Sequence, residues 1–147
     1  MSNRDKQSSR AEFYYFSSIS TRWMDNDIYG HVNNVVYYSF FDSVANKFLI
    51  EKAGLDIHNA PVIGLVVASN CQYSASIAFP EVVEVGFRVN RLGNSSVEYA
   101  MGVFKQGEDL AAAFGTFTHV FVDRQTNQSV AIPGAIRTAL EKVTVPN

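Results

Sequence analysis

Residues 21–34 read Thr-Arg-Trp-Met-Asp-Asn-Asp-Ile-Tyr-Gly-His-Val-Asn-Asn, and they concentrate the chemistry of this chain. Two carboxylates (Asp25, Asp27), one imidazole (His31) and two amides (Asn33, Asn34) fall within ten residues, directly before a long apolar segment with helical spacing. A helix N-terminus presents unpaired N–H groups and the positive end of the helix dipole, and so favours negative charge. An acid beside it could attack a carbonyl, or activate water against one, while the N–H groups receive the developing oxyanion. Asp and Asn are also common caps and turn formers, so the same residues could do no more than shape a turn.

The helix that must position this cluster runs over residues 34–53. Tyr37, Phe40, Phe41, Val44, Phe48 and Leu49 recur at three- and four-residue steps, with Ser39, Asp42, Ser43, Asn46 and Lys47 opposite. Asn33 or Asn34 can cap its start, and Gly54 is a stop signal. At 1.5 Å per residue it is on the order of 25–30 Å long.

Strand signals surround it. Residues 13–23 form a first, aromatic and Ser/Thr-rich strand. After Pro61, residues 62–68 read as a strand buried on both faces, and residues 71–79 continue the extended pattern. Residues 82–90 alternate, with Val83, Val85, Phe87 and Val89 on one side. Gly93-Asn94 marks a hairpin turn, residues 97–104 alternate again, and 106–109 form a second turn. Residues 111–123 form a long strand with Phe114, Thr116, Thr118, Val120 and Val122 on one side. Pro133 opens a short C-terminal helix. So apolar a helix must be covered, and a curved antiparallel sheet wrapped around it is the economical α+β solution.

Bulk properties narrow the function classes. A chain of 147 residues, 47% hydrophobic, suits one domain with a real core. We expect that domain over residues 12–147, behind a flexible polar tail at 1–11. A net charge of −2 without a basic run does not suit a nucleic-acid binder. Cys71 is the one cysteine, which excludes an intrachain disulfide and a cysteine zinc cluster; it reads as a small buried residue. No signal-like or membrane-length apolar run occurs, so a soluble cytoplasmic protein is expected. His58 and His119 complete no metal-ligand pattern, and no Gly-x-Ser-x-Gly elbow is present.

The pattern Asp-x-Asp-x-x-Gly-His-Val-Asn-Asn, with Tyr37 three residues on, resembles the signature of hotdog-fold acyl-CoA thioesterases of the 4-hydroxybenzoyl-CoA thioesterase type. The segment from Arg91 to Ser96 resembles that family's strand–turn–strand region, and Phe121-Val122-Asp123 before Ile132-Pro133 resembles its ending. The resemblance spans roughly residues 13–140.

The resemblance implies a five-stranded curved antiparallel sheet around one long helix. It implies subunits paired through sheet edges as a homodimer or homotetramer, with sites at the dimer interface. The implied reaction is hydrolysis of an acyl-CoA thioester to free acid and CoA, without metal or cofactor. By position, Asp27 is the catalytic carboxylate, acting as nucleophile or as general base, and Asp25 is a structural cap or turn acceptor. The N–H of Gly30 or of His31 is the candidate oxyanion donor; the His31 side chain orients the carboxylate, donates a hydrogen bond or packs. Asn33 and Asn34 are caps and braces. Tyr37 lines the acyl pocket or joins the core. Arg91, Ser95 and Ser96 contact CoA by resemblance, or form a solvated hairpin turn. Where many relatives carry an acidic pair followed by Arg, this chain has Asp42-Ser43-Val44, without the second acid or the Arg. Two other functions fit the same residues: an enoyl-thioester hydratase or dehydratase using Asp27 with His31, and a noncatalytic acyl-CoA binding protein.

Overall fold

The computed structural model describes residues 7–146. Its elements follow in the order β1 (Tyr15–Ser20), α1 (Asn34–Ala53), β2 (Val62–Tyr73), β3 (Val82–Leu92), β4 (Ser96–Lys105), β5 (Ala113–Asp123) and α2 (Gly134–Glu141). One five-stranded sheet has the order β1-β3-β4-β5-β2, and every neighbouring pair is antiparallel. This is the α+β arrangement expected from the pattern.

Helix α1 has the expected limits. Asn33 caps it, its side chain accepting the Val35 N–H at 3.1 Å, and Gly54 ends it in the left-handed conformation at φ +71°. Its buried face is the expected one with Ala45 added. Phe48 stacks on Phe87 at 4.8 Å, and Phe87 lies 5.0 Å from Tyr99, so helix and sheet meet through aromatic rings. Val83, Val85, Phe87 and Val89 are all fully buried on the face of β3 toward the helix. His119 joins this core from β5; its Nδ1 lies 3.0 Å from the Tyr99 hydroxyl.

Three strand expectations are corrected. Residues 13–23 were expected as one strand, but β1 covers only Tyr15–Ser20, and Trp23–Asp25 is a 3-10 turn. The two segments expected over 62–79 are one strand, β2, bulged between Val66 and Ala68, followed by a return loop. It is exposed over Leu65–Asn70 rather than buried on both faces; it lies at the sheet edge, with β5 as its only strand neighbour among the described residues. On β5 the alternation is as expected, with Phe117, His119 and Phe121 buried and Phe114, Thr116 and Thr118 on the other side.

The outer face of the sheet carries a second cluster. Gly86 and Gly102 are register partners on β3 and β4, and the ring of Phe13 lies over both. A Cβ at Gly86 would stand 2.8 Å from Phe13, and one at Gly102 would stand 2.9 Å from it. The Arg88 guanidinium lies 5.0 Å from the Phe13 ring, and that of Arg10 lies 4.9 Å from Phe104. Of the tail expected over 1–11, residues 1–6 lie outside the described residues. Residues 7–11 are held against the loop before β5: Arg10 N–H donates to Asp109 at 3.2 Å, and Ala111 N–H to Ser8 at 2.9 Å.

Candidate active site

The loop between β1 and α1 is built from its neck outward. Asp25 is buried, and its carboxylate accepts the Arg22 backbone N–H at 2.7 Å and the guanidinium at 2.9 Å. Its carbonyl accepts the Asn33 N–H at 2.8 Å. Asn26 and Val32 form an antiparallel bridge. The loop is tied to the return segment before β3 by Val32 N–H to Ile77 (2.7 Å) and by Phe79 N–H to the Asn26 side chain (3.0 Å).

Asp27 opens the tip. Its N–H donates to the His31 carbonyl at 2.9 Å, and its carbonyl accepts the Gly30 N–H at 3.0 Å. One carboxylate oxygen accepts the Tyr29 N–H at 2.9 Å, a local Asx-type turn. Gly30 sits at φ +82°, a conformation that costs other residues strain. The half-buried Asp27 carboxylate faces an open cavity of about 570 Å³, shared with Val32, Asn34 and Tyr37 on one side and residues 73–76 on the other.

The N–H groups at the head of α1 divide clearly. Those of Gly30, Asn33, Val35 and Val36 are spent on Asp27, Asp25, the Asn33 side chain and the Asn33 carbonyl. Those of His31 and Asn34 have no acceptor among the described residues. Asn34 lines the cavity; His31 does not, and its side chain is exposed. The cavity-lining residue at the helix head with an uncommitted N–H is therefore Asn34, expected from the sequence as a cap or brace. Its position as the first helical residue was the available signal.

Tyr37 is buried at 2% exposure, edge-on to Tyr73 at 5.0 Å and to Phe40 at 5.8 Å. Burial pushes its phenol up to about 12, with smaller contributions from Cys71 and Glu81. Tyr73 donates its hydroxyl to the Asn34 carbonyl at 3.3 Å. The half-buried Cys71 thiol is pushed up to about 11 by burial.

Arg91, Ser95 and Ser96 lie elsewhere in the chain. The Asp27 loop packs against the residues before β3 begins, whereas Arg91 is near that strand's far end, roughly 30 Å along it. Arg91 is exposed and register-paired with Glu98. The turn beyond it is held by Gly93 N–H to Ser96 (2.8 Å), by Phe121 N–H to Ser95 (2.8 Å), and by Arg137 of α2 on the carbonyls of Gly93 and Asn94. Within one chain these residues do not meet Asp27.

A family model described as the thioesterase-like superfamily matches residues 21–140, from the start of the Asp27 loop into the last turn of α2. The chain belongs to the thioesterase-like superfamily. The crystal structure of the PA5185 protein from Pseudomonas aeruginosa strain PAO1 is similar at 54% identity and TM-score 0.93, over 94% of this chain and 96% of that one. The long-chain acyl-CoA thioesterase FadM of Escherichia coli strain K12 is 23% identical over 86% of this chain and 97% of its own length. The DHNA-CoA thioesterase of Staphylococcus aureus, 24% identical with TM-score 0.76, covers 87% of this chain and 89% of that one, and shares the fold. As a thioesterase-like chain, this protein has the hotdog architecture, and its family supports thioester hydrolysis in general.

Proposed function

We propose that this chain is an acyl-CoA thioesterase of the 4-hydroxybenzoyl-CoA thioesterase type, with Asp27 as its catalytic carboxylate. The observation that carries this reading is that Asp27 and Asn34, whose N–H has no acceptor among the described residues, line one cavity at the head of α1. The thioester carbonyl accepts from the Asn34 N–H, and charge developing on its oxygen is stabilised by that donor and the helix dipole. The Asp27 carboxylate attacks the carbonyl carbon, or takes a proton from the water that does. Collapse of the tetrahedral intermediate expels the CoA thiolate, which is protonated; in the nucleophilic route, water then cleaves the acyl anhydride. The chemistry needs no metal or cofactor. Among the described residues, no cluster of three His, Cys, Asp or Glu side chains could hold a metal ion.

A homodimer, or a tetramer of two such pairs, fits this mechanism. Edge strand β2 leaves Leu65, Val66 and Val67 40–59% exposed, with one side of the strand unpaired. Antiparallel pairing of two copies along β2 puts the Val62 end of one beside the Tyr73 end of the other. The Arg91 turn of a second copy is thereby carried toward this chain's cavity, where it would meet the phosphates of CoA. The hydratase reading needs His31 in concert with Asp27, but the His31 side chain is exposed and makes no hydrogen bond to Asp27. No helix of the described residues is long and apolar enough to cross a membrane; a cytoplasmic location is part of the proposal.

Thiol release from an acyl-CoA panel tests the reading. Asp27→Asn, folded and assembled like the parent, should lose on the order of 10²–10⁴-fold in kcat, the usual contribution of a positioned acid or base. Binding of acyl-CoA without turnover in the parent would leave the noncatalytic binder instead.

A further inference from the structure

The cavity wall contains a polar group on a buried residue that neither fold nor mechanism uses. Tyr37 is 98% buried by its 2% exposure, and its ring is fixed edge-on between Phe40 and Tyr73. Its hydroxyl makes no hydrogen bond among the described residues, whereas that of Tyr73 is spent on Asn34. No side-chain oxygen or nitrogen among the described residues is both sealed from solvent and unpartnered. The Tyr37 hydroxyl therefore keeps contact with the cavity that the residue lines. Unlike Ser76, which is exposed, it sits on a buried and immobilised ring.

We infer that the Tyr37 hydroxyl is a specificity-determining donor, selecting acyl groups that carry a hydroxyl or oxo oxygen over plain hydrocarbon ones. The inference rests on the reading of this cavity as the acyl site. Two features of the wall support it. Tyr37 lies three residues, about 4.5 Å of backbone rise, beyond Asn34 on the same helix, and both residues line the cavity. An acyl group seated with its carbonyl beside Asn34 therefore shares its cavity with Tyr37. The phenol also stays neutral well above physiological pH, so it remains a donor throughout the working range. A plain alkyl chain over it would displace water and leave the hydroxyl unpaired; an oxygenated chain replaces that water.

The test uses matched pairs on the full-length protein: 3-hydroxybutyryl-CoA and 3-oxobutyryl-CoA against butyryl-CoA, and 4-hydroxybenzoyl-CoA against benzoyl-CoA. The parent should prefer at least one oxygenated member by about tenfold or more in kcat/KM, the worth of one hydrogen bond. Tyr37→Phe should erase that preference by slowing the oxygenated substrate about tenfold more than its plain partner. A parent without preference in any pair overturns the inference and needs no variant. So does a Tyr37→Phe protein that loses both members of a pair equally, since a packing or general catalytic role would do that. A parent that hydrolyses no acyl-CoA overturns the thioesterase reading itself, and this inference with it.

Discussion

The N–H of Asn33 donates to the carbonyl of Asp25 at 2.8 Å, joining the residue that caps α1 to the residue that closes β1's exit. The bond pinches the loop at its neck, so the orientation of Asp27 depends on a neighbour that never faces the cavity.

Asp25 should accordingly be a stability residue. Its buried carboxylate holds the Arg22 backbone and guanidinium, although Arg22 itself is largely exposed. Asp25→Ala should cost about 1–3 kcal/mol in urea unfolding, the cost of stranding buried donors. Asp25→Asn, assayed below its melting temperature, should lose less than about tenfold in kcat, far short of the loss for Asp27→Asn. Equal losses at the two positions would mean that the roles have been divided wrongly.

His119 predicts an acid sensitivity. Burial lowers its pKa from 6.5 to about 4, so between those values the unfolded chain binds a proton that the folded chain refuses. Stability from this group is intact above about pH 6.5, falls as pH drops through the window, and is fully lost below about pH 4. The loss is on the order of 3 kcal/mol. Denaturation from pH 7 to pH 4 should show the parent losing about one proton's worth more slope than His119→Gln. Parallel curves would show that His119 takes up its proton without penalty.

The free edge of β2 predicts assembly. Val66 is 46% exposed beside the bulge, and a lysine there would repel its copy across the pair. The parent should sediment as a dimer or larger at micromolar concentration. Val66→Lys should shift it toward monomer and reduce activity in parallel. An active monomeric parent would refute the shared site.

Arg91 should act on the nucleotide end of the substrate. Arg91→Ala should raise KM for acyl-CoA with kcat nearly retained, the pattern of lost uniform binding. A short thioester without the nucleotide should respond little. The same effect on both substrates would make Arg91 a structural residue. Activity should also survive EDTA, and its loss and restoration by one metal would contradict the metal-free mechanism.

Much of this was legible in the residues because it is written in local chemistry. Asn33 and Gly54 bound α1 by capping and left-handed geometry, and the valines of β3 alternate with the sheet's own period. What was not legible depends on neighbours far away in sequence. The apolar run in β2 reads as doubly covered, yet its second cover is absent from a single chain. Which N–H remains free at the head of α1 depends on Asp25 and Asp27 claiming the others, a matter of loop geometry rather than composition. The Arg91 turn and the Asp27 loop resemble parts of one site by motif, but the strand between them holds them apart in a single chain.

Phe13, Gly86 and Gly102 are three letters of one word, since the ring occupies the space that both glycines vacate. Drift at any one of them is constrained by the other two. An alanine at position 86 or 102 is tolerated best after position 13 has shrunk, although at 102 the Phe104 ring, 3.0 Å away, must also give. Descendants of this chain should therefore change these positions together, although the first stands more than seventy residues from the second.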